Sequence, residues 1–393
     1  MKILLVSETY PPDTNGAAIA VERLAKAFAK KGHKVTVVGP AATFNDGIEN
    51  LKNLKIFRVQ SVSLHPIHPY FRAIFKPGLK KMMTKIIDEV KPDIIHINNH
   101  MSLGRTALTL GKERNIPVIG TNHFMPENLL EYFPKFMARS ITKILWKDFL
   151  TVFNRVDFVT APSNIAIKMI VDLGLKTPRK VISNGLDLKS FKKSKVDLNF
   201  YKKYKINPKI PIFLFVGRLE IDKNVDLILR ALKIFLKKND AQVVIVGKGN
   251  DELKFKKIAK DLDLGDKAIF TGRVSDEDLG SLYSIATIYI GSGTAELQGL
   301  AVMEAMAAGL PVLAVNAVAL PELVENDFNG YLFELDESDL SKKMLKILSN
   351  KNITEMGKMS LKKIQAHDKN KIVSIFEKLY LEIIKKHKTK AIR

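Results

Sequence analysis

The chain has 393 residues, and its 63 Lys and Arg against 41 Asp and Glu give a formal net charge of +22. With 46% hydrophobic and 26% charged residues it can bury a large core, which excludes a disordered chain, and its length indicates two or three domains. The absence of cysteine excludes disulfides, a thiol nucleophile and Cys-ligated zinc or iron–sulfur clusters. The excess positive charge predicts an anionic partner, which is nucleic acid, a phosphorylated ligand or an acidic membrane surface.

Short apolar runs rich in β-branched residues alternate along the chain with longer amphipathic segments, a pattern typical of parallel sheets with crossover helices. The first run is too short for a signal or transmembrane segment and is interpreted as a strand. A first set of predicted strands comprises Ile3–Val6, Val35–Val38, Ile56–Val59, Ile94–Ile97, Val118–Thr121, Phe158–Thr160 and Val181–Ser183. A second set comprises Ile212–Val216, Val243–Val246, Ala268–Thr271, Ile288–Ile290, Val312–Val315 and Tyr331–Phe333.

Each set suffices for one doubly wound α/β domain. The segment from Lys189 to Pro211 is rich in Lys and Asn, lacks apolar periodicity and is interpreted as the domain connection. We therefore predict an N-terminal domain over residues 1–195 and a C-terminal domain over residues 196–370. Apolar residues at helical spacing predict a terminal helix over residues 371–393 that crosses back to the first domain.

Two basic segments of the N-terminal half, residues 70–87 and 133–147, interleave aromatic and aliphatic residues with Lys and Arg. This composition is typical of helices that lie in a membrane interface. The alternative is that both are ordinary amphipathic helices with Phe and Met in the core. The candidate acceptor- or membrane-contacting residues are Phe71, Arg72, Phe75, Lys76, Lys80, Lys81 and Trp146.

Three histidines follow predicted strands. His123 comes shortly after Val118–Thr121, at the edge of the sheet where ligands bind in open α/β folds, and is a candidate active-site residue. His96 and His100 adjoin the end of Ile94–Ile97, and structural or supporting roles are favoured for them. Metal binding is the minor interpretation, since no carboxylate cluster accompanies these histidines.

The most specific pattern lies between Gly291 and Val312. A Gly- and Ser-rich loop follows a strand, and a helix is predicted from about Leu300 to Ala308. Glu296 and Glu304 are separated by up to ~12 Å along a helix axis, which is about the span of a nucleotide sugar from hexose to ribose. The unpaired amides and the dipole of the helix N-terminus favour a phosphate group there.

The Glu296 to Glu304 spacing, followed by Ala-Met-Ala-Ala-Gly-Leu-Pro-Val, resembles the signature of retaining family 4 glycosyltransferases with the GT-B fold. Ser7–Gly16 resembles the first strand and glycine loop of that family, Ile182–Asp187 its Asn-Gly-Val-Asp element, and Phe215–Asn224 its phosphate clamp. The similarity extends over almost the whole chain. It implies two Rossmann-like doubly wound domains that face each other across a cleft, with the donor bound by the second and the acceptor by the first.

The resemblance also implies roles for individual residues. Glu296 would hold hydroxyls of the donor hexose and Glu304 those of the ribose, Arg218 and Lys223 would hold the diphosphate, and His123 would contact the transferred sugar. His123, Glu296, Arg218 and Lys223 are the residues assigned to catalysis. The other expected donor contacts are Gly16, Gly247, Arg273, Val274, Leu297, Gln298, Gly299 and Leu300. The family often has a glycine pair where this chain has Gly16-Ala17.

The resulting hypothesis is a metal-independent, retaining hexosyltransferase without a cofactor, whose substrate is a UDP- or GDP-linked sugar. We expect a membrane lipid as acceptor, such as diacylglycerol or a phospholipid, and a cytoplasmic enzyme peripheral on the inner face of the cell membrane. A soluble sugar, sugar phosphate or polysaccharide acceptor is the alternative. A nucleic-acid-binding protein is a remote one, because the basic residues are dispersed and none of the common binding modules is recognisable. An NAD-type oxidoreductase is disfavoured because no Gly-x-Gly-x-x-Gly follows the first strand.

Overall fold

The computed structural model describes residues 1–13, 15–63, 72–74, 76–126, 135–191 and 196–392. The chain divides into two compact units, residues 1–185 together with 369–393, and residues 186–368. The first unit ends at Gly185 and not at residue 195, because Leu186 is already buried in the hydrophobic core of the second unit.

The described part of the first unit contains an eight-stranded sheet with the strand order β10-β9-β8-β7-β1-β2-β4-β3, in which only the edge strand β3 is antiparallel to its neighbour. A separate two-stranded ribbon pairs β5 with β6. The strands are β1 (Lys2–Val6), β2 (Lys34–Pro40), β3 (Gly47–Leu51), β4 (Leu54–Val59), β5 (Val62–Ser63), β6 (Arg72–Ala73), β7 (Ile94–Ile97), β8 (Val118–Thr121), β9 (Phe158–Ala161) and β10 (Arg179–Val181).

Helices cover this sheet, and the last of them comes from the far end of the chain. They are α1 (Gly16–Lys30), α2 (Leu79–Val90), α3 (Ser102–Glu113), α4 (Lys135–Phe153), α5 (Asn164–Asp172) and α14 (Lys369–Ile392). The Asn15 side chain caps α1 by accepting from Ala18 N at 2.9 Å. Phe376 and Tyr380 of α14 are buried in one cluster with Ile3 and Phe28, so the terminal helix belongs to the core of the first unit.

The described part of the second unit contains a six-stranded, all-parallel sheet with the order β13-β12-β11-β14-β15-β16. Its strands are β11 (Ile212–Val216), β12 (Gln242–Val246), β13 (Ala268–Gly272), β14 (Ile288–Gly291), β15 (Val312–Val315) and β16 (Gly330–Phe333). Its helices are α6 (Leu198–Tyr204), α7 (Val225–Phe235), α8 (Glu252–Asp261), α9 (Asp276–Ile285), α10 (Leu300–Ala307), α11 (Leu320–Leu323), α12 (Glu337–Leu348) and α13 (Ile353–Ile364).

The prediction of two Rossmann-like α/β domains is confirmed, and most predicted strands agree with the structure within two residues. The last strand of the first set has the largest shift, of two residues at each end: it spans Arg179–Val181 and ends before the turn at Gly185, whose φ is +74°. Strand β3 was not predicted. It is exposed along its whole length and therefore lacks the alternation of apolar and polar residues that identifies a half-buried strand.

Helix α2, the described helix of the first basic segment, is not the expected interfacial helix. Phe71 and Phe75 lie outside the described residues, and α2 buries its apolar residues Met83, Ile86 and Ile87 in the core of the first unit. The structure therefore corrects the membrane interpretation of this helix in favour of the ordinary amphipathic one. Three basic side chains of the segment bind the first unit itself: Arg72 donates to Ser61 Oγ, Lys76 pairs with Asp46, and Lys80 pairs with Glu113. Lys81 is exposed.

Trp146 of α4 is also corrected, because its side chain is only 4% exposed and packs against Phe124 and Phe149. The opposite face of the same helix differs in character, as Phe136 is 84% and Ile144 66% exposed. Among the described residues, the structure contains no helix that is both long enough and apolar enough to cross a bilayer.

Candidate active site

The first half of the candidate site is the loop between β11 and α7, which carries Arg218 and Lys223. The loop runs alongside the segment that follows β12, because Leu219 N donates to Lys248 O at 3.0 Å and Asp251 N donates to Leu219 O at 3.0 Å. A short 3₁₀ turn, Ile221–Lys223, then leads into α7 through Asn224, which has a left-handed φ of +50°.

Gly247 and Gly249 allow these two loops to approach closely. A Cβ on Gly247 would lie 1.9 Å from Gly217 O, and one on Gly249 would lie 2.3 Å from Leu219 O. Both separations are far below van der Waals contact, so any side chain would push the loops apart. Gly247, which was expected to contact the donor, is thus already required by packing between the loops that follow β11 and β12.

The second half of the site is the loop after β14, and hydrogen bonds fasten it to the loop after β11. Ser292 Oγ donates to Lys223 O at 2.5 Å, and Asn224 Nδ2 donates to Ser292 O at 2.9 Å. Thr294 N donates to Asp222 O at 3.1 Å. Because β11 and β14 are adjacent, residues more than 60 positions apart in the sequence form one connected pair of loops.

This connection brings Lys223 and Glu296 together. Lys223 Nζ lies 2.8 Å from Glu296 Oε1 and 2.9 Å from Asp222 Oδ2, and the lysine is buried. Burial lowers the pKa of Lys223, but the negative charges of Glu296 and Asp222 outweigh it and raise the pKa overall. The positive charge of Arg218 acts in the opposite direction, which places its guanidinium within electrostatic range of the ammonium group.

Sequence reasoning missed two residues of this arrangement, Asp222 and Gly293. A Cβ on Gly293 would lie 3.1 Å from Glu296 Oε1 and 3.3 Å from Lys223 Cδ, so glycine leaves the space that the ion pair occupies. The signal for Asp222 was its position next to Lys223, since a lysine that is buried needs a carboxylate partner.

Glu304 lies on α10 and is held separately from Lys223. Tyr283 Oη donates to Glu304 Oε2 at 3.2 Å. Tyr289 of β14 connects the two glutamates electrostatically: burial raises its pKa, and the charges of Glu296 and Glu304 raise it further. The hydroxyl of Tyr289 donates to Val216 O at 3.1 Å, next to Arg218. Both signature carboxylates therefore lie within electrostatic range of one tyrosine of β14.

Helix α10 begins at Leu300 as predicted. Gly299 precedes it with a φ of +76°, and a Cβ there would lie 2.6 Å from Leu320 Cδ2, so glycine is required both by its conformation and by its surroundings. Met303 N donates to Gly299 O, which is the first hydrogen bond of the helix, so the amides of residues 300–302 precede it and point toward the helix N-terminus, where an anion can accept from them. Leu297 and Gln298 lie in the loop that leads to this N-terminus.

Arg273 and Val274 follow β13, which is an edge strand of the second sheet and is separated from β14 by β12 and β11.

His96, in the first unit, has the structural role expected for it. Its Nδ1 lies 2.6 Å from Tyr380 Oη, and its Nε2 lies 2.6 Å from Thr121 Oγ1. Burial, with a smaller effect of His123, lowers the pKa of His96 to about 3. His96 therefore stays neutral and ties β7 to β8 and to α14.

His123 and His100 are neutral for the same reason. Burial lowers the pKa of each to about 4. The His100 ring packs against Phe124 and Phe149, with ring centroids 4.6 Å and 5.3 Å away, which indicates a structural role. His123 follows β8 and is only partly buried, so it can offer a neutral imidazole, with one donor and one acceptor nitrogen, to a hydroxyl group.

Gly16 and a carboxylate that sequence reasoning missed adjoin β1. Gly16 is the first residue of α1, at the carboxyl edge of the first sheet. Glu8 is buried, and its Oε1 accepts from Leu103 N at 2.7 Å and from Gly104 N at 3.0 Å at the start of α3. Burial raises the pKa of Glu8 to about 7, against the lowering effect of those backbone donors.

The residues that this structure describes contain no group of three or more His, Cys, Asp or Glu side chains arranged to hold a metal ion. The positive groups beside the two signature glutamates are Arg218 and Lys223. The chemistry that this arrangement supports is recognition of a polyanion next to a pair of hydroxyl-binding carboxylates.

Two family descriptions together match most of the chain. "Glycosyltransferase Family 4" matches residues 14–190 and "Glycosyl transferases group 1" matches residues 197–363. The chain is 29% identical over 359 residues to an alpha-monoglucosyldiacylglycerol synthase of Streptococcus pneumoniae, covering 88% of this chain and 78% of that protein. It is 25% identical over 403 residues to the enzyme of the same name from Acholeplasma laidlawii, covering 99% of each. A GDP-mannose-dependent alpha-mannosyltransferase of Corynebacterium glutamicum is 26% identical over 336 residues, covering 85% of this chain and 77% of that one.

Solved structures share the fold. The sucrose-phosphate synthase of Thermosynechococcus elongatus superposes with a TM-score of 0.80 at 20% identity, covering 98% of this chain and 99% of that one. The Anabaena protein HepE, crystallised with UDP, superposes with a TM-score of 0.75 at 19% identity, covering 97% and 100%. With one family description on each unit and this fold, the chain belongs to the family 4, group 1 glycosyltransferases of GT-B architecture.

Proposed function

We propose that this glycosyltransferase moves a hexose from a UDP- or GDP-linked sugar to a membrane lipid such as diacylglycerol or a phospholipid, with retention of anomeric configuration. The observation that carries the proposal is the buried Lys223, in contact with Glu296 and near Arg218, on the unit that matches the group 1 family. The names of the S. pneumoniae and A. laidlawii relatives support a diacylglycerol-type acceptor. Those names specify alpha products, and the common UDP-glucose and GDP-mannose donors carry alpha bonds, which supports retention.

The diphosphate is the centre of the proposed chemistry. As the bond between hexose and diphosphate breaks, the leaving nucleoside diphosphate gains negative charge. In this proposal Lys223 and Arg218 stabilise that charge, together with the amides at the start of α10. These groups supply the electrostatic stabilisation in this mechanism, so we propose that no metal is needed.

The carboxylates recognise the two sugars of the donor in this proposal. Glu296 accepts hydrogen bonds from hexose hydroxyls, and Glu304, held by Tyr283, accepts them from the ribose. His123, which is neutral, hydrogen-bonds a hydroxyl of the transferred hexose. The acceptor belongs to the first unit, whose sheet edge carries His123 and Gly16.

A transfer assay tests the donor and the acceptor together. The purified protein is incubated with UDP-glucose, UDP-galactose or GDP-mannose, and with micelles of diacylglycerol or phosphatidylinositol, glucose 6-phosphate, or an oligosaccharide. We expect a lipid product that forms equally well with EDTA and carries an alpha linkage by the anomeric proton coupling. A beta linkage would contradict retention, and transfer to the water-soluble acceptors alone would establish the alternative acceptor class.

We further propose that the protein is a peripheral protein of the cytoplasmic membrane face and contacts it through the outer face of α4. This outer face, defined as Phe136, Met137, Arg139, Lys143 and Ile144, combines exposed apolar side chains with basic ones. Apolar side chains insert at the boundary between headgroups and acyl chains, and Lys and Arg bind anionic headgroups. The buried face of α4 supports this arrangement, since Trp146 and Phe149 anchor the helix in the core.

A further inference from the structure

Lys223 has two carboxylate partners that differ in how firmly they are held. Asp222 is its neighbour in the same 3₁₀ turn, and the Asp222 side chain is only 9% exposed. Glu296 belongs to the separate loop after β14, and its side chain is 31% exposed. Asp222 is therefore a fixed partner of Lys223, whereas Glu296 can leave the lysine by moving into solvent.

A diphosphate bound to Lys223 would compete with Glu296. Lys223 Nζ donates a hydrogen bond to Glu296 Oε1 at 2.8 Å and lies 2.9 Å from Asp222 Oδ2, so two carboxylates already lie against the ammonium group. A phosphate oxygen within hydrogen-bonding distance of Lys223 Nζ would lie about 4–5 Å from Glu296 Oε1, where two negative charges in a partly buried site repel each other strongly. The same Glu296 carboxylate is the group proposed to bind the donor hexose.

We propose that Lys223 exchanges partners when the donor binds: Asp222 stays in place, the diphosphate replaces Glu296 on Nζ, and the released Glu296 turns to the hexose hydroxyls. This inference rests on the proposed function and adds a coupling within its donor site. Gly293 permits the motion, because its missing Cβ leaves open the space beside Glu296 Oε1 and Lys223 Cδ.

The exchange gives the complete donor an advantage over the spent nucleotide. A nucleotide sugar compensates Glu296 for its lost ion pair by supplying hydroxyl groups. A nucleoside diphosphate displaces Glu296 without supplying any, so its binding is weakened by the competition. After transfer, the return of Glu296 to Lys223 would thus favour release of the nucleoside diphosphate.

Calorimetric titration with UDP and GDP tests this inference on the full-length protein. Glu296→Gln keeps the size of the side chain but removes its charge, and we expect it to bind the preferred nucleoside diphosphate about five- to tenfold more tightly than wild type. Glu304→Gln is the matched control on the same signature, because Tyr283 and not Lys223 holds that carboxylate. We expect it to bind the nucleoside diphosphate no more tightly than wild type.

Each result has a defined meaning. Unchanged or weaker binding by Glu296→Gln, in protein whose thermal unfolding matches wild type, would overturn the exchange. Equal tightening in Glu304→Gln would also overturn it, because net charge alone would then explain the gain. Glu296→Ala, which removes the carboxylate entirely, should tighten binding as well, and uridine or guanosine without phosphates should not distinguish the variants. If wild type binds neither UDP nor GDP, the proposed function itself falls, whereas nucleotide binding without the gain contradicts only the exchange.

Discussion

His96 Nδ1 and Tyr380 Oη lie 2.6 Å apart, and this contact joins the central strand β7 to the terminal helix α14, 284 positions away in the sequence. Both side chains are fully buried, and Thr121 occupies the second nitrogen of His96. The Tyr380 hydroxyl therefore supplies the hydrogen-bond partner of His96 Nδ1, which is buried away from water.

Tyr380→Phe should destabilise the protein because it leaves His96 Nδ1 buried without a partner. The expected loss is about 1–3 kcal/mol in the free energy of unfolding, measured by urea denaturation. Tyr204→Phe is the control, since the Tyr204 hydroxyl bonds Asp278 at a partly exposed position where water can replace it. An equal loss in both variants would show that the buried contact has no special weight.

Glu8 should make stability depend on pH. Its pKa is about 7 in the folded protein and about 4.5 when unfolded, so between these values the folded state binds the extra proton. Raising the pH through this window therefore destabilises the protein, by up to about 3 kcal/mol above pH 7. Glu8→Gln removes this contribution, so the unfolding free energy of the variant relative to wild type should rise from pH 4.5 to 7 and then level off. A difference independent of pH would contradict the raised pKa.

Replacing Lys223 should separate the effects on activity from those on stability. Lys223→Met is expected to lower kcat about 10²–10³-fold, because the leaving diphosphate loses a preorganised cation. It should also cost about 2 kcal/mol in stability, because it leaves Asp222 buried without its counter-ion. The double variant Asp222→Asn, Lys223→Met should recover much of the stability and none of the activity. Recovery of transfer in the double variant would refute the role of Lys223.

Gly293→Ala should impair transfer without preventing folding. The added Cβ would lie 3.1 Å from Glu296 Oε1, so the carboxylate and Lys223 must shift by a few tenths of an ångström. We expect kcat/KM to fall about tenfold, because small displacements of positioned groups are costly in catalysis. Gly280→Ala is the control, since a Cβ there meets no atom within 4 Å and the residue lies inside helix α9. Full activity of Gly293→Ala would show that transfer does not depend on the positions of Glu296 and Lys223 beside Gly293.

The outer face of α4 should govern binding to anionic membranes. The double variant Phe136→Ser, Ile144→Ser is expected to lower co-sedimentation with phosphatidylcholine–phosphatidylglycerol vesicles about tenfold or more, because it removes the inserting side chains. Lys143→Glu should weaken binding to these vesicles and not to pure phosphatidylcholine. Leu253→Ser is the matched control, as Leu253 is 80% exposed on α8 of the second unit. Unchanged sedimentation of the double variant would refute this surface.

The family, the positions of the strands along the chain and the position of the signature helix were determined by the sequence alone. Strands such as Ile94–Ile97 and Ile212–Val216 could be predicted because a parallel strand buried on both faces is a continuous apolar run. Glu296 and Glu304 could be identified because their spacing and the Gly-rich loop before α10 are local features of the chain. Strand β3 could not be predicted, because its exposed residues carry no apolar pattern.

Only the tertiary structure decided which partner each of these residues meets. Residues far apart in the sequence become neighbours through the order of strands in the sheet. The amino-acid composition of the strands does not reveal that order. Because β11 pairs with β14, Glu296 contacts Lys223. Because β11 pairs with β12, Gly247 lies close to the backbone of Gly217. Helical spacing likewise shows that α4 is amphipathic, but only packing decides that Trp146 faces the core and Phe136 the solvent.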